Sequence, residues 1–261
     1  MYLLYFFISL LATCFGGICG IGGGVVIKPV FDAVGTLTVS AVSFLSGCTV
    51  LSMAVINVLK SRKIKGVLDF KISTPLAVGS VFGGITGEAL FDFIKLLFNN
   101  EKYVGAVQAG LLIFVTLGSL IYSLNSEKIK TKVVTSIFAC VVIGMFLGTV
   151  SSFLGIGGGP INLTVLFFFF SMDTKKAAAN SIYIIMFSQL SGLFESLILK
   201  NVPEIDLFIL VLVISAGLLG GILGSEINKK LSAATVDKLF MGFMIFIVCI
   251  NIFNVLKFAV L

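Results

Sequence analysis

Gly20-Ile21-Gly22-Gly23-Gly24 and Gly155-Ile156-Gly157-Gly158-Gly159 stand 135 residues apart, each interrupting an apolar stretch. Each is followed by only a short apolar segment, Val25–Val34 or Pro160–Phe170, before the next polar residues. At about 1.5 Å per residue such a segment rises roughly 16 Å as a helix, about half a hydrocarbon core. It cannot span a bilayer alone, so the reading of the two glycine runs decides the fold.

The rest of the chain sets that reading in a membrane. Hydrophobic residues make up 58% and charged residues 11% of the sequence, with a mean hydropathy of +1.18. A soluble domain needs far more polar surface than this. The net charge of +6 is therefore read as topology rather than as a nucleic-acid footprint, and no nucleic-acid partner is expected. Histidine and tryptophan are absent, which excludes His-based proton relays and His metal sites. The five cysteines all lie in apolar segments without metal-type spacing. They read as small buried residues, not as a disulfide framework.

The glycine runs belong to a longer repeat. Ser46 matches Ser181 at the same offset of 135, Gly83-Gly84-Ile85-Thr86-Gly87 matches Gly220-Gly221-Ile222-Leu223-Gly224 at 137, and Gly110 matches Gly242 at 132. Two homologous halves, 1–124 and 133–261, are thus expected around a polar cytoplasmic linker, 125–132. Each half carries three segments long enough to span, 36–59, 72–98 and 103–124, then 180–199, 205–224 and 236–258. The simplest assignment for the remainder is a re-entrant hairpin, in along 1–19 and out along 24–34, repeated by 133–153 and 159–170. The expected fold class is all-α and integral to the membrane, with two inverted repeats of one glycine-tipped hairpin plus three transmembrane helices.

Charge discriminates between topologies. With hairpins that do not cross, thirteen cations fall on one side, among them Lys60, Arg62, Lys63, Lys65, Lys71, Lys175, Lys176, Lys229 and Lys230. Only Lys95, Lys102, Lys200 and Lys257 fall on the other. The positive-inside rule then makes the first side cytoplasmic and leaves both termini outside. If the first arm crosses fully, the split drops to 10 against 5 and Lys175-Lys176 is stranded in lipid, which is costly.

Inverted halves bring the two glycine tips together near the midplane, each at the start of a half-helix. A helix start carries unpaired N–H groups and about half a positive charge, and glycine admits close approach to the backbone. Two such starts make an anion site without many charged side chains. The expected substrate contacts are Gly22, Gly23, Gly24, Lys28, Ser46, Thr49, Gly157, Gly158, Gly159, Asn162, Ser181 and Gln189. Lys28 requires a bound anion or a carboxylate such as Glu88 beside it, unless it snorkels to the outer interface. Glu88 is the deepest of the intramembrane acids Glu88, Asp92 and Glu195 and is the candidate for coupling. The later glycine groups, Gly83-Gly84-x-x-Gly87 and Gly220-Gly221-x-x-Gly224, read as close helix contacts rather than ligand contacts.

These residues resemble the TauE/SafE family of sulfite and organosulfonate exporters. The likeness rests on the duplicated Gly-x-Gly-Gly-Gly, on Pro29 five residues after Gly24, on Pro160 directly after Gly159, and on the later Gly-Gly-x-x-Gly pairs. It covers essentially the whole chain. It implies a multi-pass permease of the cell membrane that moves small sulfur-containing anions outward. Thr164 stands where the family often has proline, and Lys28 is not part of the general motif. The expected partners are a small anion and the bilayer, with a homodimer as one oligomeric option and no cofactor or metal. A channel for another small anion or solute is the alternative, and a cation transporter is a weaker one because Glu88 matches Ser225. No Ser-His, His-based metal or paired-Asp arrangement suggests an enzyme.

Overall fold

The computed structural model describes residues 1–64, 66–98 and 101–260. Lys65, one of the cations weighed above, lies outside the described residues. Those residues form ten α-helices and no strand: α1 (Tyr2–Cys19), α2 (Gly24–Val34), α3 (Val39–Ser61), α4 (Phe70–Leu97), α5 (Glu101–Leu124), α6 (Ile137–Phe153), α7 (Gly159–Phe170), α8 (Thr174–Ile198), α9 (Leu207–Lys230) and α10 (Ala233–Val260). Seven of them, α1, α3, α4, α5, α8, α9 and α10, are long and apolar enough to cross a membrane. The sequence reading counted six, having treated the 18-residue α1 as a hairpin arm. Its counterpart α6 has 17 residues, and α2 and α7 have only 11 and 12.

Local chemistry explains most helix starts. Thr38, Asp69, Ser136, Asp173 and Asp206 cap α3, α4, α6, α8 and α9, each side chain accepting a backbone N–H of the first turn; such a cap satisfies one of the donors a helix start leaves unpaired. The starts of α2 and α7 differ. Their caps are Gly23 and Gly158, with no side-chain hydrogen bond. Pro160 fits the first turn of α7, where a missing N–H costs nothing. At Thr164 α7 stays helical, and the hydroxyl donates to the Pro160 carbonyl at 3.1 Å.

Helix pairing follows the small residues. The most extensive contacts are α4 with α6 and α1 with α9, then α4 with α8 and α3 with α9. Exchanging the halves turns α4–α6 into α9–α1 and α4–α8 into α9–α3, so the pairing pattern maps onto itself. In lipid, apolar burial gives helices little reason to associate, and close packing of small residues takes its place. Gly79, Gly83 and Gly87 lie on backbone atoms of α6, while Gly220 and Gly224 lie on backbone atoms of α1. The later glycine groups are therefore helix contacts. Gly110 and Gly242 have nothing within 4 Å of a Cβ.

A substitution pair checks this packing. Gly83→Leu forces a side chain into the Met145 carbonyl of α6. It is expected to destabilise by about 1–3 kcal/mol or more, as overpacking does. Gly110→Leu, into open space, is expected to leave thermal melting in detergent unchanged.

Candidate functional site

The two glycine runs touch. Gly20, Gly22, Gly155, Gly157, Gly158 and Gly159 all have positive φ, a conformation open to glycine at no steric cost. A Cβ on Gly22 would lie 3.4 Å from the Gly157 carbonyl, one on Gly24 would meet the Ile156 carbonyl, and one on Gly159 would lie 2.5 Å from Val25. Ile21 and Ile156 are fully buried, Ile21 in the apolar cluster that includes Leu163 and Ile184, Ile156 in the one that includes Val25 and Ile27. Each tip thus plugs into the other half of the chain.

Two cavities flank this junction, at opposite ends of the antiparallel pair α3 and α8. The larger, about 660 Å³, is lined by the first turns of α3 (Ser40, Ser43, Gly47), the last turns of α4 and α8, and Gly155 of the second tip. The smaller, about 240 Å³, is lined by the end of α3 (Asn57, Lys60, Ser61), the start of α8 (Lys175, Ala178), the end of α9, and Gly17 near the first tip. Between them Val50 and Ile185 close on Gly22 and Gly157. Val50 and Ile185 are themselves separated by 135 residues, as are the two glycines. The barrier is therefore built from two equivalent pairs.

The expected site residues divide among these places. Gln189 and Glu88 line the larger cavity, where Glu88 accepts a hydrogen bond from Ser196 at 3.2 Å. Gly22, Gly24, Gly157 and Gly159 form the junction itself, while Gly23 packs on Thr13 of α1 and Gly158 on Asn162. Ser46 Oγ lies beside Gly24, 2.9 Å from where its Cβ would be. Ser46 Oγ, Ser181 Oγ and Asn162 Oδ1 are buried polar atoms without a hydrogen-bond partner among the described residues. Such atoms are costly unless something else satisfies them. Thr49 is different: its hydroxyl donates to the Leu45 carbonyl of its own helix at 2.7 Å.

Lys28 does not pair with Glu88, and it does not snorkel to an interface. It is 2% exposed, with Nζ 3.4 Å from Asp32 Oδ2 one turn along α2. It also donates to Ser43 Oγ at 3.1 Å, on the wall of the larger cavity. The sequence reading omitted Asp32 from the intramembrane acids, although the i, i+4 spacing on a short helix signals the pair. It also attached no role to the lysines near Asn57 beyond topology. Among the described residues no group of three or more Cys, Asp and Glu side chains could hold a metal ion.

Known proteins resemble this chain over most of its length. The family model described as sulfite exporter TauE/SafE matches residues 5–251. The probable membrane transporter protein YunE of Bacillus subtilis is 25% identical over 93% of this chain and 94% of its own length. A probable membrane transporter protein of Haemophilus influenzae is 26% identical over 96% and 97%, and one of Methanocaldococcus jannaschii 24% over 88% and 87%. No solved structure matches the chain significantly.

Proposed function

The chain belongs to the sulfite exporter TauE/SafE family and is a multi-pass membrane transporter, and on that premise we propose that it exports small sulfur-containing anions such as sulfite or organosulfonates across the cell membrane. One observation carries the reading: two cavities at opposite ends of α3 and α8 have the glycine tips and the Val50–Ile185 pair between them. A substrate held at that junction is exposed to one side or the other as the packing shifts. The larger cavity, about 660 Å³ against 240 Å³, belongs to the open side of the present conformation.

The finer architecture in this proposal is two inverted repeats, α1–α5 and α6–α10, with α1–α2 and α6–α7 as re-entrant hairpins. Support comes from the helix pairing, which is preserved when the halves are exchanged, and from the equivalent positions of the barrier residues. Further support is that the end of α2 returns to the start of α1, where the Tyr5 and Phe31 rings lie edge to face with centroids 4.7 Å apart. In this topology the smaller cavity faces the cytoplasm and both termini lie outside.

At the junction the uncapped starts of α2 and α7 offer backbone N–H groups and partial positive charge. Ser46, Ser181 and Asn162 have polar atoms to spare. Glycine at positions 22–24 and 157–159 lets an anion pass close to the main chain. Glu88 on the outer cavity wall is the coupling candidate. A continuously open channel is the competing reading; direct packing of the tips favours gated passage over it.

The test is flux of labelled sulfite in liposomes containing the purified protein. Sulfite movement well above protein-free vesicles, inhibited by small sulfonates, is the expected result. Absence of flux for sulfite, thiosulfate and sulfoacetate alike refutes the substrate class.

A further inference from the structure

We propose that the smaller cavity is a capture site for a free oxyanion, held by the Asn57 amide and the ammonium groups of Lys60, Lys175 and Lys229. It deepens the transport reading above by naming where the substrate first binds on the cytoplasmic side. Asn57 is 2% exposed and lines this cavity, and neither its Nδ2 nor its Oδ1 has a hydrogen-bond partner among the described residues. A buried amide left so is costly without a ligand. Asn57 borders a space whose wall carries Lys60, Lys175 and Lys229.

The charge count favours an anion. Glu226 bridges Lys60 at 2.8 Å and Lys229 at 3.0 Å, which offsets one of the three cations. Among the described residues no carboxylate pairs with Lys175. Asp173, two residues before Lys175, caps α8 and pairs with Lys176 at 3.8 Å. Ser225 accepts from Lys60 at 3.1 Å and adds a hydroxyl to the same wall. A volume of about 240 Å³ holds on the order of eight waters at roughly 30 Å³ each. That is enough for a small oxyanion with part of its hydration shell.

Comparison with the other half makes the assignment specific to this end of the molecule. At the offset of 135, Lys60 corresponds to Glu195, Asn57 to Gly192 and Lys175 to Ser40; at 137, Lys229 corresponds to Asp92 and Ser225 to Glu88. Glu88, Asp92, Gly192 and Ser40 all line the larger cavity. The smaller cavity thus carries Lys175, Lys229 and Ser225 where the larger carries Ser40, Asp92 and Glu88, with Lys95 also on the larger cavity's wall. An anion is attracted into the smaller cavity, which concentrates it at the cytoplasmic mouth of the pathway.

Equilibrium binding of labelled sulfite to the full-length protein in nanodiscs tests the site, with sulfate as competitor. Asn57→Leu is expected to weaken binding about tenfold or more, as loss of a buried hydrogen bond to a charged group does. Lys175→Gln is expected to weaken it about threefold to fivefold and to flatten its salt dependence. Lys230→Gln, which removes an exposed charge outside the cavity, is expected to leave affinity unchanged. Asn57→Asp serves as a second probe should the leucine variant misfold; it too is expected to lose binding. Unchanged affinity in the Asn57 and Lys175 variants overturns the proposal. So does sulfite binding that is absent in phosphatidylcholine nanodiscs while phosphatidylglycerol binds the wild type and not Lys175→Gln, because the cavity is then a lipid headgroup site. Sulfite flux that is intact in Asn57→Leu overturns the capture site alone. Sulfite binding that depends on Asn57 without wild-type flux overturns the transport reading and keeps the site.

Discussion

Gly158→Leu is expected to abolish sulfite flux while the protein still inserts into the membrane. Gly158 has φ 98° and ψ −43°, a region that side-chain-bearing residues occupy at a cost of about 1–3 kcal/mol. A Cβ there would also run into the Asn162 side chain. Relief requires the start of α7 to rotate, which moves the N–H groups of its first turn and Asn162 together. The hydrophobic segments that direct insertion are untouched, so expression and detergent extraction remain near normal. Flux in liposomes reads the effect directly. Retained flux at wild-type rate in Gly158→Leu would remove the tips from the pathway.

The second large effect is expected at Asp32. Its side chain and that of Lys28 are 6% and 3% exposed, so Asp32→Ala leaves a buried ammonium with Ser43 as its remaining partner among the described residues. Breaking a buried ion pair on one side costs about 3–5 kcal/mol, and thermal melting in detergent should fall accordingly. The double variant Lys28→Met, Asp32→Leu replaces both charges by apolar groups and is expected to recover most of that stability. Its sulfite affinity is expected to stay low, because Lys28 reaches the larger cavity through Ser43. A loss below about 1 kcal/mol for Asp32→Ala, in the range of an exposed pair, would mean that Lys28 escapes to solvent. Full recovery of affinity in the double variant would make the pair purely structural.

Much of the fold was legible because lipid imposes simple rules on sequence. Segment length against bilayer thickness gave the long helices α3, α4, α5, α8, α9 and α10, with the start of α8 and the end of α9 each about six residues off. The breaks after Cys19 and Phe153 were legible because glycine runs and short apolar segments leave few backbone options. The landmarks Gly83-Gly84-x-x-Gly87 and Gly220-Gly221-x-x-Gly224 were readable as packing faces for the same reason. Asp32 was missed as the carboxylate beside Lys28 because Glu88 was offered by depth alone, while the neighbour one turn away was overlooked. Gln189 and Glu88 reach the larger cavity, but Thr49 turns its hydroxyl to its own backbone, a choice between local and distant acceptors that sequence does not encode.

By itself the sequence determined that this chain is a helical membrane protein and that two glycine runs, 135 residues apart, each interrupt an apolar stretch. Composition, length and spacing act locally or through the bilayer, so no partner residue has to be known. Tertiary structure alone decided that Ile21 and Ile156 are fully buried, that Val50 and Ile185 close the gap, and that Asn57 lines a cavity with Lys60, Lys175 and Lys229 while its counterpart Gly192 lines one with Glu88 and Asp92. Those facts depend on which helix faces meet. In lipid that is set by close packing of small residues between distant segments, a property of pairs of surfaces rather than of any one stretch of chain.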